Sequence, residues 1–401
     1  MKRIGILGGT FNPVHIAHIL IARAAYNELA LDKVLFMPSK NPPHKQDIDV
    51  ASDNDRMNMV RFAIEDEPGF EASGIELNRE GLTYTSDTLK ILKENNPESK
   101  FYFIIGGDSL GSFVNWHEPE LILRRCALVC VGRSINDNSQ IRSLITEIRD
   151  KYTTDDFIPE IHFVNAPQSD ISSDMIRKYI SFNISTLGMT KPLVSEYIFK
   201  TRLYRSSVYD AFTMNIESLL SPHRILHVKN VAKTAVRLAR IYGADMDKAY
   251  TAGLLHDCAK YLDDEQMLEA AKEHNIELEE VEKTSVQLVH AKVGAVFAKE
   301  VYGIEDEDIL NAIRYHTTGR PDMSLLEKII YVADYIEPGR RRMVDDVDSA
   351  KRLELARSYA SVDIDLALKT ILKETYDYLQ TKTDYAISDM TQKAYEFYKD
   401  I

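Results

Sequence analysis

The sequence predicts a doubly wound α/β domain built on a parallel sheet, followed by a second domain made only of helices. Three observations lead there. Short, unbroken apolar runs alternate with helix-length segments in the first half of the chain. Beyond about residue 203 the strand-like runs become scarce. In their place come long segments whose apolar positions recur every three or four residues. Parallel strands read as continuous apolar runs because crossover helices cover both faces of their sheet.

Residues 2–7 read as the first buried strand, then a glycine turn, then a helix over 18–29. Residues 33–37 form a second run, and 101–105 a third that ends in Gly106-Gly107; 127–131 and 162–164 follow. The helical half has amphipathic segments at 223–242, 247–262, 285–302, 306–316, 324–336 and 354–380. Val228, Val231, Ala235, Leu238 and Ala239 show the spacing of one buried face. The domains are set at 1–204 and 205–401, with no Gly/Ser- or Pro-rich linker and no internal repeat between them.

Composition narrows the function classes. The 401 residues are 44% hydrophobic and 28% charged, an ordinary globular balance. A net charge of -13 argues against a general duplex nucleic-acid binder, so phosphate contacts are expected to be local. Three cysteines, Cys126, Cys130 and Cys258, without a CxxC pair, argue against a disulfide framework and a cysteine zinc site. No apolar run reaches about 18 residues, which speaks against a transmembrane helix. MKRIGILGG enters glycine too early for a signal peptide. A cytoplasmic protein with no membrane or nucleic-acid partner is expected; a homo-oligomer stays open.

The sharpest local signal is Gly8-Gly9-Thr10-Phe11-Asn12-Pro13-Val14-His15-Ile16-Ala17-His18. A strand feeds a glycine turn and then a helix start, where exposed N–H groups and the helix dipole favour a phosphate. His15 and His18 are three apart, so both lie on one face. Two imidazoles beside a phosphate suit charge stabilisation in phosphoryl-type transfer.

This segment resembles the HxGH signature of the nucleotidyltransferases, and the likeness extends to nicotinate-nucleotide adenylyltransferase. The landmarks are PSKNPPHK at 38–45, LTYTSDTL at 82–89, GGDSL at 106–110, Trp116, Arg133 and ISSDMIR at 171–177. They span residues 1 to about 200 in family order. Two positions depart: Ala17 replaces the glycine of HxGH, and Asp174 stands where Ser or Thr is common. The resemblance implies that ATP, carrying Mg²⁺, lies between the two histidines and the start of the ISSDMIR helix. Gly8, Gly9, Thr10 and Phe11 would border it. Ser172 or Ser173 can cap that helix and offer donors, and the planar fork of Arg177 can reach phosphate oxygens. His44 and Lys45 sit in a Pro-rich loop that could close over the phosphates, although such a loop is also an ordinary solvated one. No protein nucleophile is needed, because the acceptor's own phosphate attacks the α-phosphorus; catalysis reduces to positioning and charge stabilisation. The resemblance places the acceptor, nicotinate mononucleotide, at Thr85, Asp108, Trp116 and Arg133. By position alone, Trp116 is equally a packing residue. Nicotinamide mononucleotide is the alternative acceptor.

In the helical half, His227, His256-Asp257, His290, His316 and Asp334 fall in five segments. Each lies within an apolar stretch, such as AGLLHDCAKYL or KIIYVADYIEP. Polar groups on buried helix faces need partners, and a shared metal supplies them. The order H…HD…H…H…D resembles the HD phosphohydrolases. SPHRILHVKNVAKTA, AGLLHDCAK, HAKVGA, IRYHTTG and ADYIEPGR are closer still to the bacterial HD family of symmetrical diadenosine-tetraphosphate hydrolases. This resemblance implies two transition-metal ions bridged by Asp257, with iron favoured, and hydrolysis of diadenosine tetraphosphate to two ADP. Lys260 and Arg340 are candidates for phosphate contacts. A guanosine alarmone or cyclic dinucleotide substrate, or a regulatory metal-binding module, remains the alternative. Taken together, a bifunctional enzyme is expected.

Overall fold

The computed structural model describes residues 1–40, 50–132, 137–343, 347–381 and 387–400. The chain falls into two compact units, Met1–Arg205 and Ser206–Ile401.

The first unit runs β1 (Lys2–Gly9), α1 (Ile16–Glu28), β2 (Lys33–Pro38), α2 (Asp53–Ile64), β3 (Phe70–Ala72), α3 (Thr85–Asn95), β4 (Ser99–Gly106) and α4 (Gly107–Ser112). It continues with α5 (Pro119–Arg125), β5 (Ala127–Gly132), α6 (Asp137–Tyr152), β6 (Ile161–Asn165), α7 (Ser173–Ser181) and α8 (Pro192–Thr201). All strand pairings are parallel, in the order β3-β2-β1-β4-β5-β6. Successive residues of each strand point to opposite faces, and both faces are buried. Ile4, Ile6, Met37, Phe103 and Leu128 pack on one side with Leu89, Ile122 and Ile141. Leu7, Phe36, Ile104 and Val129 pack on the other with Ile19, Met59, Val60 and Ile198. Each fully buried Ile or Phe contributes about 1.5–3 kcal/mol, which is why the strands carry no polar alternation. β3 was not anticipated: three residues, Phe-Glu-Ala, at the sheet edge hold too little pattern to read.

The strand order reverses between β1 and β4. In open α/β sheets the crevice outside the carboxyl ends at such a reversal is the ligand site. Arg56, 1% exposed, braces this end of the sheet. Its guanidinium donates to the Thr10 carbonyl at 2.9 Å, Ser39 at 2.6 Å and Ala51 at 3.2 Å, and pairs with Asp53 at 2.6 Å. Arg56→Leu leaves three carbonyls without that donor and should destabilise the first unit by about 3 kcal/mol. Trp116, the only tryptophan, lies in this unit. Its fluorescence during denaturant unfolding measures the shift.

The second unit is all-helical. It contains α9 (Ser207–Leu219), α10 (Pro222–Tyr242), α11 (Met246–Leu255), α12 (Asp264–Glu273), α13 (Glu280–Thr284), α14 (His290–Glu300), α15 (Glu307–Arg314) and α16 (Leu325–Ile336). α17 (Val347–Ala360), α18 (Ile364–Thr381) and α19 (Asp389–Tyr398) complete it. Two sequence expectations change here. The segment expected at 247–262 stops at Leu255, where Cys258 and Lys260 turn their N–H groups onto Leu255 and Asp257 carbonyls, each at 3.0 Å. The segment expected at 354–380 is two helices, because Asp363 accepts from the N–H of Asp365 and Leu366, each at 3.0 Å, and starts a new one. α10 and α11 approach closely at Gly253, where a Cβ would stand 2.7 Å from the Ala232 Cα. Among the described residues, no helix is long and apolar enough to cross a membrane.

Candidate active sites

A cavity of about 1040 Å³ opens at the sheet reversal of the first unit. Gly8, Gly9, Thr10 and Phe11 line it from the end of β1; His15, Ala17 and His18 from α1; Ser172, Ser173 and Arg177 from α7; and Thr85 and Trp116 from the far side. His15 is the N-cap of α1, with extended backbone, so the helix starts two residues earlier than expected. Its ring stacks on that of His18, with centroids 3.7 Å apart and planes 32° from parallel. The His15 N–H donates to His18 Nδ1 at 3.2 Å. Neutral His18 therefore carries its proton on Nε2. The edge of Phe11 packs on His18 at 5.0 Å.

α7 is pinned to the turn after β1. Ser172 caps it by accepting from the Met175 N–H at 3.2 Å, while Ser173 donates to the Pro13 carbonyl at 2.8 Å. Arg177 donates to the Asn12 carbonyl at 2.8 Å and to Asp174 at 3.0 Å. Asp174 thus orients the arginine and lies in the first turn, where the helix dipole favours it. Trp116 packs on Phe113 and Phe103, at 5.4 and 6.1 Å between centroids, and borders the cavity as well. Glu76 lines the same cavity and accepts from Thr88 at 2.8 Å; burial raises its pKa. Of the remaining candidates, His44, Lys45 and Arg133 lie outside the described residues, as does the side chain of Asp108.

Sequence reasoning missed Arg56 and Asn12. Asn12 Oδ1 accepts from the Ala51 N–H at 3.1 Å and from Tyr204 at 2.8 Å, while its carbonyl holds Arg177. Only the asparagine's place inside the signature pointed to it.

In the second unit all six candidate ligands converge. Asp257 Oδ1 lies 3.2 Å from His290 Nε2, 3.6 Å from His316 Nε2 and 3.8 Å from His256 Nε2. Asp334 Oδ1 lies 3.1 Å from His227 Nε2 and 4.0 Å from His256 Nε2. Three overlapping triads have ligand atoms within 4.8 Å of one another: His227–His256–Asp257, His256–His316–Asp334 and Asp257–His290–His316. Asp257 belongs to two of them. His256 and His316 sit just past the ends of α11 and α15, His290 opens α14, and His227 and Asp334 lie within α10 and α16.

The donor set fits metal ions. Nδ1 of His256 faces the Gly253 carbonyl at 2.8 Å, His316 the Ile313 carbonyl at 2.7 Å, and His290 the Gln287 carbonyl. Carbonyls only accept, so these rings carry their proton on Nδ1 and present bare Nε2 lone pairs inward. The His290 and His316 Nε2 atoms stand 3.1 Å apart. Two lone pairs at that distance repel, whereas two ligands about 2.1 Å from one cation stand about 3.0–3.4 Å apart. Burial pushes His256 and His290 down to about 4, keeping both neutral. Burial also opposes charge on His227, but Asp334 and Glu337 outweigh it and lift His227 to about 9. Burial would raise Asp257, yet His256, His290 and His316 hold it well below the usual carboxylate range.

Cations surround the cluster. Arg340 donates to Asp334 Oδ1 at 2.7 Å, and Arg224 approaches Asp257 Oδ2 at 3.4 Å. Burial lowers the Lys260 pKa, with Arg224 and Arg340 adding to it against the pull of Asp257 and Asp334. Arg224 and the buried Glu337 escaped sequence reasoning. An acid three residues past Asp334, in an otherwise apolar run, was the available signal for Glu337.

These two units define a nucleotidyltransferase-type α/β domain and a helical HD domain. A cytidylyltransferase-like family model matches residues 6–179, and an HD domain model matches residues 224–339. Over 204 residues the chain is 38% identical to a probable nicotinate-nucleotide adenylyltransferase of Lachnoclostridium phytofermentans, covering 51% of this chain and 100% of that protein. A probable nicotinate-nucleotide adenylyltransferase of Enterococcus faecalis is 37% identical over 207 residues, covering 52% of this chain and 87% of that one. The chain belongs to the nicotinate-nucleotide adenylyltransferase family, with an HD domain in its second half. It is also similar to a crystal structure from Clostridium acetobutylicum described as a predicted HD superfamily hydrolase involved in NAD metabolism. The identity is 40%, with 48% of this chain and 97% of that one covered and a TM-score of 0.44.

Proposed function

We propose that the chain is a bifunctional enzyme, with an adenylyltransferase over residues 1–204 and a metal-dependent phosphohydrolase over 205–401. In the first site, the phosphate of nicotinate mononucleotide attacks the α-phosphorus of Mg²⁺-bound ATP. Nicotinate adenine dinucleotide forms and pyrophosphate leaves. The observation that carries this is the cavity at the sheet reversal, bordered by the stacked His15–His18 pair and by the pinned start of α7. His18 Nε2–H and Arg177 stabilise the charge that builds on the phosphates; Ser172 and Ser173 shape the site; Gly8 and Gly9 let the backbone come close. His44 and Lys45 are assigned to the triphosphate. Thr85, Asp108, Trp116 and Arg133 are assigned to the acceptor. An acceptor site built for a carboxylate leaves polar groups unpaired when offered an amide, at about 1–3 kcal/mol. The kcat/KM for nicotinate mononucleotide should therefore exceed that for nicotinamide mononucleotide at least about tenfold. Equal values would overturn the acceptor assignment.

In the second site His227, His256, Asp257, His290, His316 and Asp334 would hold two divalent transition-metal ions, with iron favoured by the family likeness. Such ions activate a water and polarise phosphorus. Around them, Lys260 and Arg340 bind phosphate oxygens and Asp334 keeps Arg340 in place. The substrate is diadenosine tetraphosphate, which water cleaves into two ADP. The test is ADP release by the metal-loaded full chain, with guanosine alarmones and cyclic dinucleotides as competing substrates. Turnover of one of those, and none of diadenosine tetraphosphate, would keep the hydrolase and replace its substrate.

A further inference from the structure

Three of the four histidines in the metal-binding cluster are aimed the same way. His256, His290 and His316 each turn Nδ1 to the carbonyl three residues earlier, at Gly253, Gln287 and Ile313. Each stands at a helix end, where side chains can reach main-chain carbonyls. His227 lies inside α10, whose carbonyls are engaged along the helix. Its Nδ1 faces the Glu337 Oε1 instead, at 3.2 Å and 110 positions away.

Glu337 is held for this contact. It is 2% exposed. Its Oε2 accepts from Asn230 Nδ2 at 3.0 Å, one turn along α10 from His227, and from the Gly339 N–H. A Cβ at Gly339 would stand 2.7 Å from Oε1, so glycine leaves the carboxylate its room. Arg357 fixes the backbone here, donating to the carbonyls of Ile336 at 3.0 Å and Glu337 at 2.9 Å.

A carboxylate acceptor makes an imidazole a stronger metal ligand than a carbonyl acceptor does, and it fixes the ring more firmly. Resting on the metal-site reading above, we infer that Glu337 is a positioning residue that makes the two halves of the cluster unequal. The half with His227, His256 and Asp334, which shares Asp257 with the other half, retains its cation. The half with Asp257, His290 and His316 exchanges its cation more readily; the hydroxyl of Thr317 borders that half, 3.2 Å from His316 Nε2 and 3.4 Å from His290 Nε2. Asp334 adds a second carboxylate to the retaining half, 3.1 Å from His227.

The test loads the full chain with Co²⁺ and follows its release into excess chromogenic chelator. The wild type should release two ions per chain in two phases. Glu337→Gln should speed the slow phase about 10–100-fold and leave the fast phase unchanged. Gly339→Ala, which presses on the carboxylate without removing it, should speed the same phase to a smaller degree. Circular-dichroism melting of each variant accompanies the release curves. A single phase in the wild type, an unchanged slow phase in both variants, or equal acceleration of both phases would overturn the inference. A wild-type chain that takes up no Co²⁺ would overturn the metal-site reading itself.

Discussion

If the second unit is the proposed two-metal hydrolase, Asp257→Asn is expected to cut its hydrolysis on the order of 10³-fold while leaving adenylyl transfer by the first intact. Asp257 Oδ1 lies within 3.2–3.8 Å of three imidazole Nε2 atoms, and the residue is shared by two of the three ligand triads. Asp334, the other carboxylate in these triads, belongs to one of them. Asparagine keeps the shape and removes the charge that would be needed to hold two cations close together. Metal content should fall from two ions per chain to one or none. Hydrolysis should drop on the order of 10³-fold, corresponding to the several kcal/mol that metal-borne charge stabilisation supplies. The measurement is metal per chain by elemental analysis, beside ADP release from diadenosine tetraphosphate. Asp257 is 5% exposed, so the variant also trades a buried charge for a neutral amide facing imidazoles. Any loss of helical stability should therefore be recovered by comparing metal-free forms. Full metal content together with undiminished hydrolysis would remove Asp257 from its assigned place.

His18→Ala should lower adenylyl transfer about 10²-fold or more, the cost of losing one preorganised donor to developing charge. The His18 ring is set by three contacts: the His15 N–H on Nδ1 at 3.2 Å, the stacked His15 ring and the Phe11 edge. Nε2–H is thereby directed without rearrangement at the moment of reaction. The loss should fall mainly on kcat, because the donor acts where charge develops rather than where substrate first binds. Hydrolysis by the second unit should be unchanged. Steady-state kinetics of pyrophosphate release give the comparison, and near-normal turnover would refute the role.

Much of the first unit was legible because parallel strands buried on both faces leave unbroken apolar runs. The signature between Gly8 and His18 sits where a strand, a turn and a helix start must meet. β3 was not legible, because a three-residue edge strand has no period. Arg56 was not legible either: an arginine in a helical segment reads as a solvated charge until the carbonyls of Thr10, Ser39 and Ala51 are found around it. In the second unit the six candidate ligands could be picked out as polar residues in apolar stretches. Their helices are shorter than the periodicity predicts, since a 3.6-residue period does not mark the turn that swings His256 and Asp257 inward.

The sequence by itself determined the order of the two folds, the strand–turn–helix junction at Gly8–His18 and which six residues are the candidate ligands. Those depend on local periodicity and on residue types close together in the chain. Only the tertiary structure decided that His227 is aimed by Glu337 rather than by its own backbone. Nothing local links two residues 110 positions apart. Their contact exists because α10 and α16 pack together, and because a half-buried imidazole inside a helix must find its acceptor on another element. The same holds for Arg177 and Asn12, 165 positions apart, whose hydrogen bond exists only once the sheet has brought the first turn and α7 to one edge.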